Sequence, residues 1–199
     1  MNATTADRSG QCHRATKETK IDVTLQIDGK REISVQTGIG MLDHLLSALA
    51  FFASWDLTVR AEGDLVVDDH HTVEDTALCV GAAFDQALGT RQGICRFAHA
   101  YAPLDEALAR VVVDLGTRSH ASANLALKRE RLGQLSCENI PHFLASLASA
   151  GRFCLHADVL RGENDHHRAE ATFKALGLAL RAGCRVDDAR STLSTKGQL

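Results

Sequence analysis

Two copies of one short pattern carry the chemistry this chain can do: His70-His71-Thr72-Val73-Glu74 and, 96 residues later, His166-His167-Arg168-Ala169-Glu170. On a helix, a His and a Glu three or four residues apart share a face, so each copy can aim imidazole nitrogen and carboxylate oxygen at one ion. A single such pattern is as readily a solvated helix start. Two copies with matched acids, each preceded by a lone histidine (His44 and His142), point instead to two metal centres. The eight candidate ligands are His44, His70, His71, Glu74, His142, His166, His167 and Glu170. Six imidazoles and two carboxylates suit Mn, Fe, Co, Ni or Zn better than Ca or Mg. Adjacent side chains diverge, so each His-His pair is expected to be split between two ions.

Asp64, Asp68 and Asp69 precede the first His pair and Asp165 takes the place of Asp69 before the second. Such acids can orient a ligand imidazole or can be solvated loop residues. His13, His99, His120 and His156 have no repeated partner and are assigned no role.

The elements that must position these groups repeat as well. Residues 1–13 read as a polar, mobile leader. Lys20 to Gln36 alternates polar and apolar residues about Asp28-Gly29 and reads as a hairpin, with Ile21, Val23, Leu25, Ile27, Ile33 and Val35 on one face. Leu42, Leu45, Leu46, Leu49 and Phe52 fall at helical spacing over Met41 to Phe52. Trp55 to Ala61 reads as a strand, and Glu74 to Leu88 as a helix closed near Gly89. The second half replays this order: strands over Ala109 to Leu115 and Ala121 to Lys128, a helix from Pro141 to Gly151, a strand over Phe153 to Val159, and a helix from Glu170 to Arg181. Residues replay too, since Asp43-His44-Leu45-Leu46 aligns with Pro141-His142-Phe143-Leu144, and Gly81 with Gly177. An internal duplication accounts for all of this. The expected organisation is an α/β (α+β) chain of two halves, 14–104 and 105–190, with a polar tail at 191–199, all in one compact domain.

With 199 residues, 45% of them hydrophobic, the chain can bury a substantial core. A formal charge of −3 and a pI near 6.3 argue against nucleic acid or an anionic membrane as partner. No run approaches a membrane span, and Met1 to Lys20 lacks the apolar core of a signal peptide. Six cysteines without Cys-x-x-Cys spacing read as reduced, structural thiols of a cytoplasmic protein.

Seven segments together resemble one family. They are Lys17-Glu18-Thr19, Leu42-Asp43-His44, Asp68-Asp69-His70-His71-Thr72-Val73-Glu74-Asp75, Pro103-Leu104-Asp105-Glu106-Ala107-Leu108, Asn164-Asp165-His166-His167, Glu170 with Phe173-Lys174-Ala175, and Ser194-Thr195-Lys196-Gly197. In that order they resemble the imidazoleglycerol-phosphate dehydratases of histidine biosynthesis, from about residue 14 to the C-terminus. The resemblance implies two four-stranded sheets flanking a four-helix bundle, a homo-oligomer of 24 subunits built from trimers, active sites between subunits, and two Mn²⁺ per site. It assigns His44, His71, Glu74 and His166 to one manganese and His70, His142, His167 and Glu170 to the other. It makes Glu18 the substrate-contacting acid/base, with His44, His71, Glu74, His166 and Glu170 completing the catalytic set. It gives Arg96, Arg118, Lys174, Ser194, Thr195 and Lys196 to the substrate and its phosphate.

The implied reaction removes water from imidazoleglycerol phosphate to give imidazole-acetol phosphate. No carbonyl acidifies the carbon that must lose a proton, so simple base catalysis would be slow. Cations at both ring nitrogens would stabilise an imidazolate able to expel the neighbouring hydroxyl as a diazafulvene forms, after which the next C–H becomes acidic. Departures from the family pattern occur at Asp114-Leu115-Gly116-Thr117-Arg118-Ser119, at Phe52-Ala53 and at Met41, none of them a ligand position. The competing class is a dinuclear phosphoester hydrolase, which ordinarily employs more carboxylates than the two found here. A metal-storage shell would not need Glu18 or the Ser194 to Lys196 tail.

Overall fold

The computed structural model describes residues 8–187 and 193–194. In chain order the first half supplies β1 (Ser9–Ala15), β2 (Thr19–Gln26), β3 (Ile33–Gln36), α1 (Gly40–Ala53), β4 (Asp56–Gly63) and α2 (His70–Leu88). The second supplies β5 (Phe97–Leu104), β6 (Ala107–Asp114), β7 (His120–Asn124), a short hairpin of β8 (Arg131–Leu132) and β9 (Leu135–Ser136), then α3 (Asn139–Ala150), β10 (Cys154–Arg161) and α4 (Asp165–Gly183). Apart from that hairpin the two lists are the same, and so are the sheets: β1-β2-β4-β3 and β5-β6-β10-β7. This is the duplicated arrangement of two four-stranded sheets and four helices.

Strand alternation decides which face of each sheet meets the helices. Ile21, Val23 and Leu25 of β2 and Ala109, Val111 and Val113 of β6 are buried, while their neighbours Asp22, Thr24 and Val112 face outward. Helix α2 covers β1, β2 and β4, and α4 covers β5 and β6. Between these layers the helices pair across the halves, α1 with α4 and α2 with α3. Small residues let them sit deep: Ala169, Ala171, Ala175 and Ala179 of α4 are buried, around the larger plugs Phe143 and Phe173. Across the two halves Phe84 of α2 meets Trp55 at 5.2 Å and, edge-on, Phe153 at 5.7 Å. Each such side chain contributes about 1.5–3 kcal/mol by leaving water. Among the described residues no helix is long and apolar enough to cross a membrane.

Three sequence expectations are corrected. The hairpin about Asp28-Gly29 does not form, because β4 lies between β2 and β3. β3 and β4 are parallel and joined through α1, which a parallel pair requires, and β2 then pairs along its whole length with the other edge of β4. Asp56 Oδ1 accepts from Lys30 N at 2.6 Å and Glu32 N at 2.8 Å, holding the turn against β4. Part of the supposed mobile leader is strand β1, paired with β2 from Ser9 to Ala15. Both His-His pairs lie inside helices, since α2 begins at His70 and α4 at Asp165, earlier than Glu74 and Glu170. Strand β5 and the β8–β9 hairpin have no counterpart in the sequence reading.

Candidate metal centres and the acids beside them

All eight candidate ligands sit within the first six residues of the four helices. Successive helical residues are about 100° apart, so the paired imidazoles point different ways. The rings of His70 and His71 are 6.0 Å apart and nearly perpendicular, as are those of His166 and His167 at 6.2 Å. The residue four positions after the first His of each pair shares its face, and in both helices that residue is Glu.

Helix pairing across the halves then completes two clusters. In the first, His44 Nε2 of α1 and His166 Nε2 of α4 approach the same oxygen, Glu170 Oε2, at 2.9 and 3.1 Å. In the second, His70 and His142 stack with ring centroids 4.8 Å apart, and Glu74 stands 3.8 Å from His70 Nε2 and 3.2 Å from His142 Nε2. In each cluster the three ligand atoms lie within 4.8 Å of one another. The pairs can meet this way because they run parallel. Residue 81 of α2 touches Leu147 and Gly151 at the end of α3, and residue 177 of α4 touches Leu49 and Ala53 at the end of α1. Helix starts therefore coincide with helix starts.

His71 and His167 join neither cluster, and each is flanked by two acids. His71 Nδ1 lies 3.0 Å from Asp64, with Glu18 3.9 Å from its Nε2. His167 Nδ1 lies 2.7 Å from Glu106, with Asp105 3.7 Å from its Nε2. Hydrogen bonds donated by these imidazoles to Asp64 and Glu106 raise their pKa. Glu106 itself is drawn down to about 2, first by the backbone N–H of Asn164 and then by His167. Burial opposes ionisation of Glu170, yet Lys174 at 2.7 Å and His44 hold its carboxyl down at about 2.

The ligand sets read from the resemblance thus fall into pairs within one chain. His44 and His166 are together, as are His70 and His142, but Glu170 stands with the former and Glu74 with the latter. The cations are spread further. Lys174 pairs with Glu170, Arg96 is ion-paired with Asp114 beside β5, and Arg118 is exposed in the loop before β7. Ser194 follows Leu193, whose carbonyl accepts from Arg96. Thr195 and Lys196 lie outside the described residues.

Of the loop acids, Asp64 and Asp69 have opposite fates. Asp64 orients an imidazole. Asp69 is buried and takes the N–H and hydroxyl of Ser136 at 2.6 and 2.7 Å. Asp165, also buried, takes the N–H groups of Lys128 and Arg129 at 2.8 and 2.7 Å. Both acids therefore anchor the segment that carries the β8–β9 hairpin. The residue that holds His70 Nδ1 is Asn139, at 3.1 Å, which sequence reasoning missed because the contact spans 69 positions. Asp69→Ala is expected to cost about 2–3 kcal/mol in urea unfolding, since it orphans buried donors; a loss below about 0.5 kcal/mol would show that the anchor is idle.

The donors fit a first-row divalent ion. His142 Nε2 is buried and makes no hydrogen bond, although Glu74 Oε1 stands 3.2 Å away. Two imidazoles and one carboxylate converging on one point are the nitrogen-rich set such ions take.

A twice-repeated α/β domain carrying two such His-His-Glu clusters is the class of protein defined here. A family profile described as imidazoleglycerol-phosphate dehydratase matches residues 37–180. A protein of that name from Phytophthora nicotianae is 52% identical over all of this chain, which spans 44% of the relative's length. One from Chloroflexus aggregans is 52% identical, covering 96% of this chain and 95% of the relative. A crystal structure of the Pyrococcus furiosus enzyme, in complex with (S)-C348, superposes with a TM-score of 0.82 at 33% identity, over 94% of this chain and all of that one. The chain belongs to the imidazoleglycerol-phosphate dehydratase family, and with it to the carbon–oxygen lyases.

Proposed function

We propose that this protein dehydrates D-erythro-imidazoleglycerol phosphate to imidazole-acetol phosphate in histidine biosynthesis, as a cytoplasmic homo-oligomer of 24 subunits with two Mn²⁺ per active site. The observation that supports it best is the meeting of α1 with α4 and α2 with α3, which makes two His-His-Glu clusters from both halves of a chain of this family. In the full site His44, His71, Glu74 and His166 would hold one ion and His70, His142, His167 and Glu170 the other. Each set joins a histidine pair from one cluster to a His and Glu from a neighbouring subunit. Support comes from His71 and His167, which stand outside the clusters with side chains 33% and 27% exposed.

Bound cations would stabilise negative charge on the imidazole ring while the adjacent hydroxyl leaves. The chain's own residues do the rest. Glu18 is half-exposed beside His71 and takes the proton from the next carbon once the hydroxyl has left. Asp64 and Glu106 fix the orientation and tautomer of His71 and His167. Arg96, Arg118, Lys174, Ser194, Thr195 and Lys196 hold the phosphate and keep the reacting carbon over Glu18.

One assay separates this from the hydrolase and storage readings: supply imidazoleglycerol phosphate with and without Mn²⁺, and follow both ketone and free phosphate. The expected result is Mn²⁺-dependent ketone alone. Glu18→Gln should keep full metal content and lose about 10²–10⁴-fold in turnover. A folded, metal-loaded protein that makes no ketone contradicts the proposal, and release of phosphate favours a phosphoesterase.

A further inference from the structure

Arg91 is a buried cation that the chemistry above does not use. It follows α2, is 3% exposed and has φ of 58°. Its guanidinium donates to the carbonyls of Leu115 at 3.0 Å, Arg152 at 2.7 Å and Gly151 at 2.7 Å, and also to the carbonyl of Gly116 and the carboxylate of Asp85. A charge is tolerated inside a protein when it is well hydrogen-bonded, and a planar guanidinium can face several carbonyls at once where an ammonium cannot.

Two of those carbonyls belong to the segment between Asp114 and Arg118. From its other side the same segment grips Arg96. Leu115 N donates to Arg96 O at 3.0 Å, and Gly116 N donates to Asp114 Oδ1 at 2.9 Å. The Asp114 carboxylate receives Arg96 Nε at 2.7 Å and Nη2 at 3.0 Å. Arg96 in turn reaches the Leu193 carbonyl, next to Ser194. One continuous chain of contacts thus runs from Arg91 through residues 115–116 to Arg96 and the tail.

We propose that Arg91 is a positioning residue for the substrate's phosphate: it fixes the backbone of Leu115 and Gly116, and through it the guanidinium of Arg96 and the start of the Arg118 loop. This deepens the reading above and rests on Arg96 being a phosphate ligand.

The test compares wild type with Arg91→Lys, Gly116→Ala and Arg96→Ala, measuring kcat, KM, inhibition by inorganic phosphate, metal content and thermal midpoint. A Cβ on Gly116 would meet Arg96 Nη2 at 3.1 Å and Asp114 Oδ1 at 3.2 Å, so this variant shifts the same pair by pressing only on side-chain ends. Expected are rises of about tenfold in KM and in the phosphate inhibition constant for Arg91→Lys and Gly116→Ala, with kcat and metal content unchanged. If Arg91→Lys does not fold, Gly116→Ala decides. Unchanged KM and phosphate inhibition in the folded variants, or a loss confined to kcat, overturns the inference. Arg96→Ala distinguishes the two levels: if it too leaves KM unchanged, the phosphate reading itself is wrong, whereas a raised KM there alone removes only the role of Arg91.

Discussion

Glu170→Gln is expected to lower turnover on the order of 10³-fold while leaving the fold intact. The carboxylate sits where three positive or proton-bearing groups converge: His44 at 2.9 Å, His166 at 3.1 Å and Lys174 at 2.7 Å. Those partners outweigh its burial and keep it ionised at any physiological pH, with a pKa of about 2. Glutamine preserves shape and the hydrogen-bond acceptor but removes the charge. Losing the charge of one ligand removes several kcal/mol of charge stabilisation, and each 1.36 kcal/mol is tenfold in rate. Metal analysis beside kinetics gives the reading: bound divalent ion should fall together with activity, and Lys174 should lose its ion pair. A variant with full metal content and near wild-type turnover would remove Glu170 from the site.

Gly81→Val and Gly177→Val should each destabilise the protein by about 3 kcal/mol, the high end for an overpacked core. A Cβ at Gly81 would lie 2.7 Å from Leu147 O and 2.8 Å from Gly151 N, both backbone atoms of the facing helix or its end. At Gly177 the corresponding clashes are 2.6 Å with Leu49 O and 3.0 Å with Ala53 N. Backbone cannot rotate away as a side-chain tip can, so the helices must separate. For a chain of this size the thermal midpoint should drop by about 6–12 °C. The effects should also be selective. Gly81 sets the α2–α3 approach and hence the His70, Glu74, His142 cluster, whereas Gly177 sets α1–α4 and the His44, His166, Glu170 cluster. Midpoints within about 2 °C of wild type would show that close approach is unnecessary.

These two glycines show where reading the sequence stopped. They were recognisable as an aligned pair, but not as the crossing points of helices from opposite halves. Local spacing was legible throughout: the period of 3.6 placed His70 and Glu74, and His166 and Glu170, on common faces, and alternation marked β2, β4, β6 and β10. The resemblance supplied the sheet and bundle architecture. Missed elements were those whose pairing is remote or whose local signal is weak, such as β1 and β5. The chain does bend at Ile27-Asp28 after β2, but a bend does not choose the strand that fills the neighbouring position.

The sequence by itself determined the duplication, the helical phase of the ligands and the splitting of each His-His pair, because these follow from covalent spacing and helix geometry. Only the tertiary structure decided which helices meet, that Glu170 stands with His44 and Glu74 with His142 within one chain, that Asp69 and Asp165 brace a hairpin, and that Arg91 anchors the loop beside Arg96. Those choices depend on which apolar faces bury one another across tens to more than a hundred residues, and on backbone approaches that two glycines permit. Nothing in the spacing of the chain encodes such contacts until its faces have closed on each other.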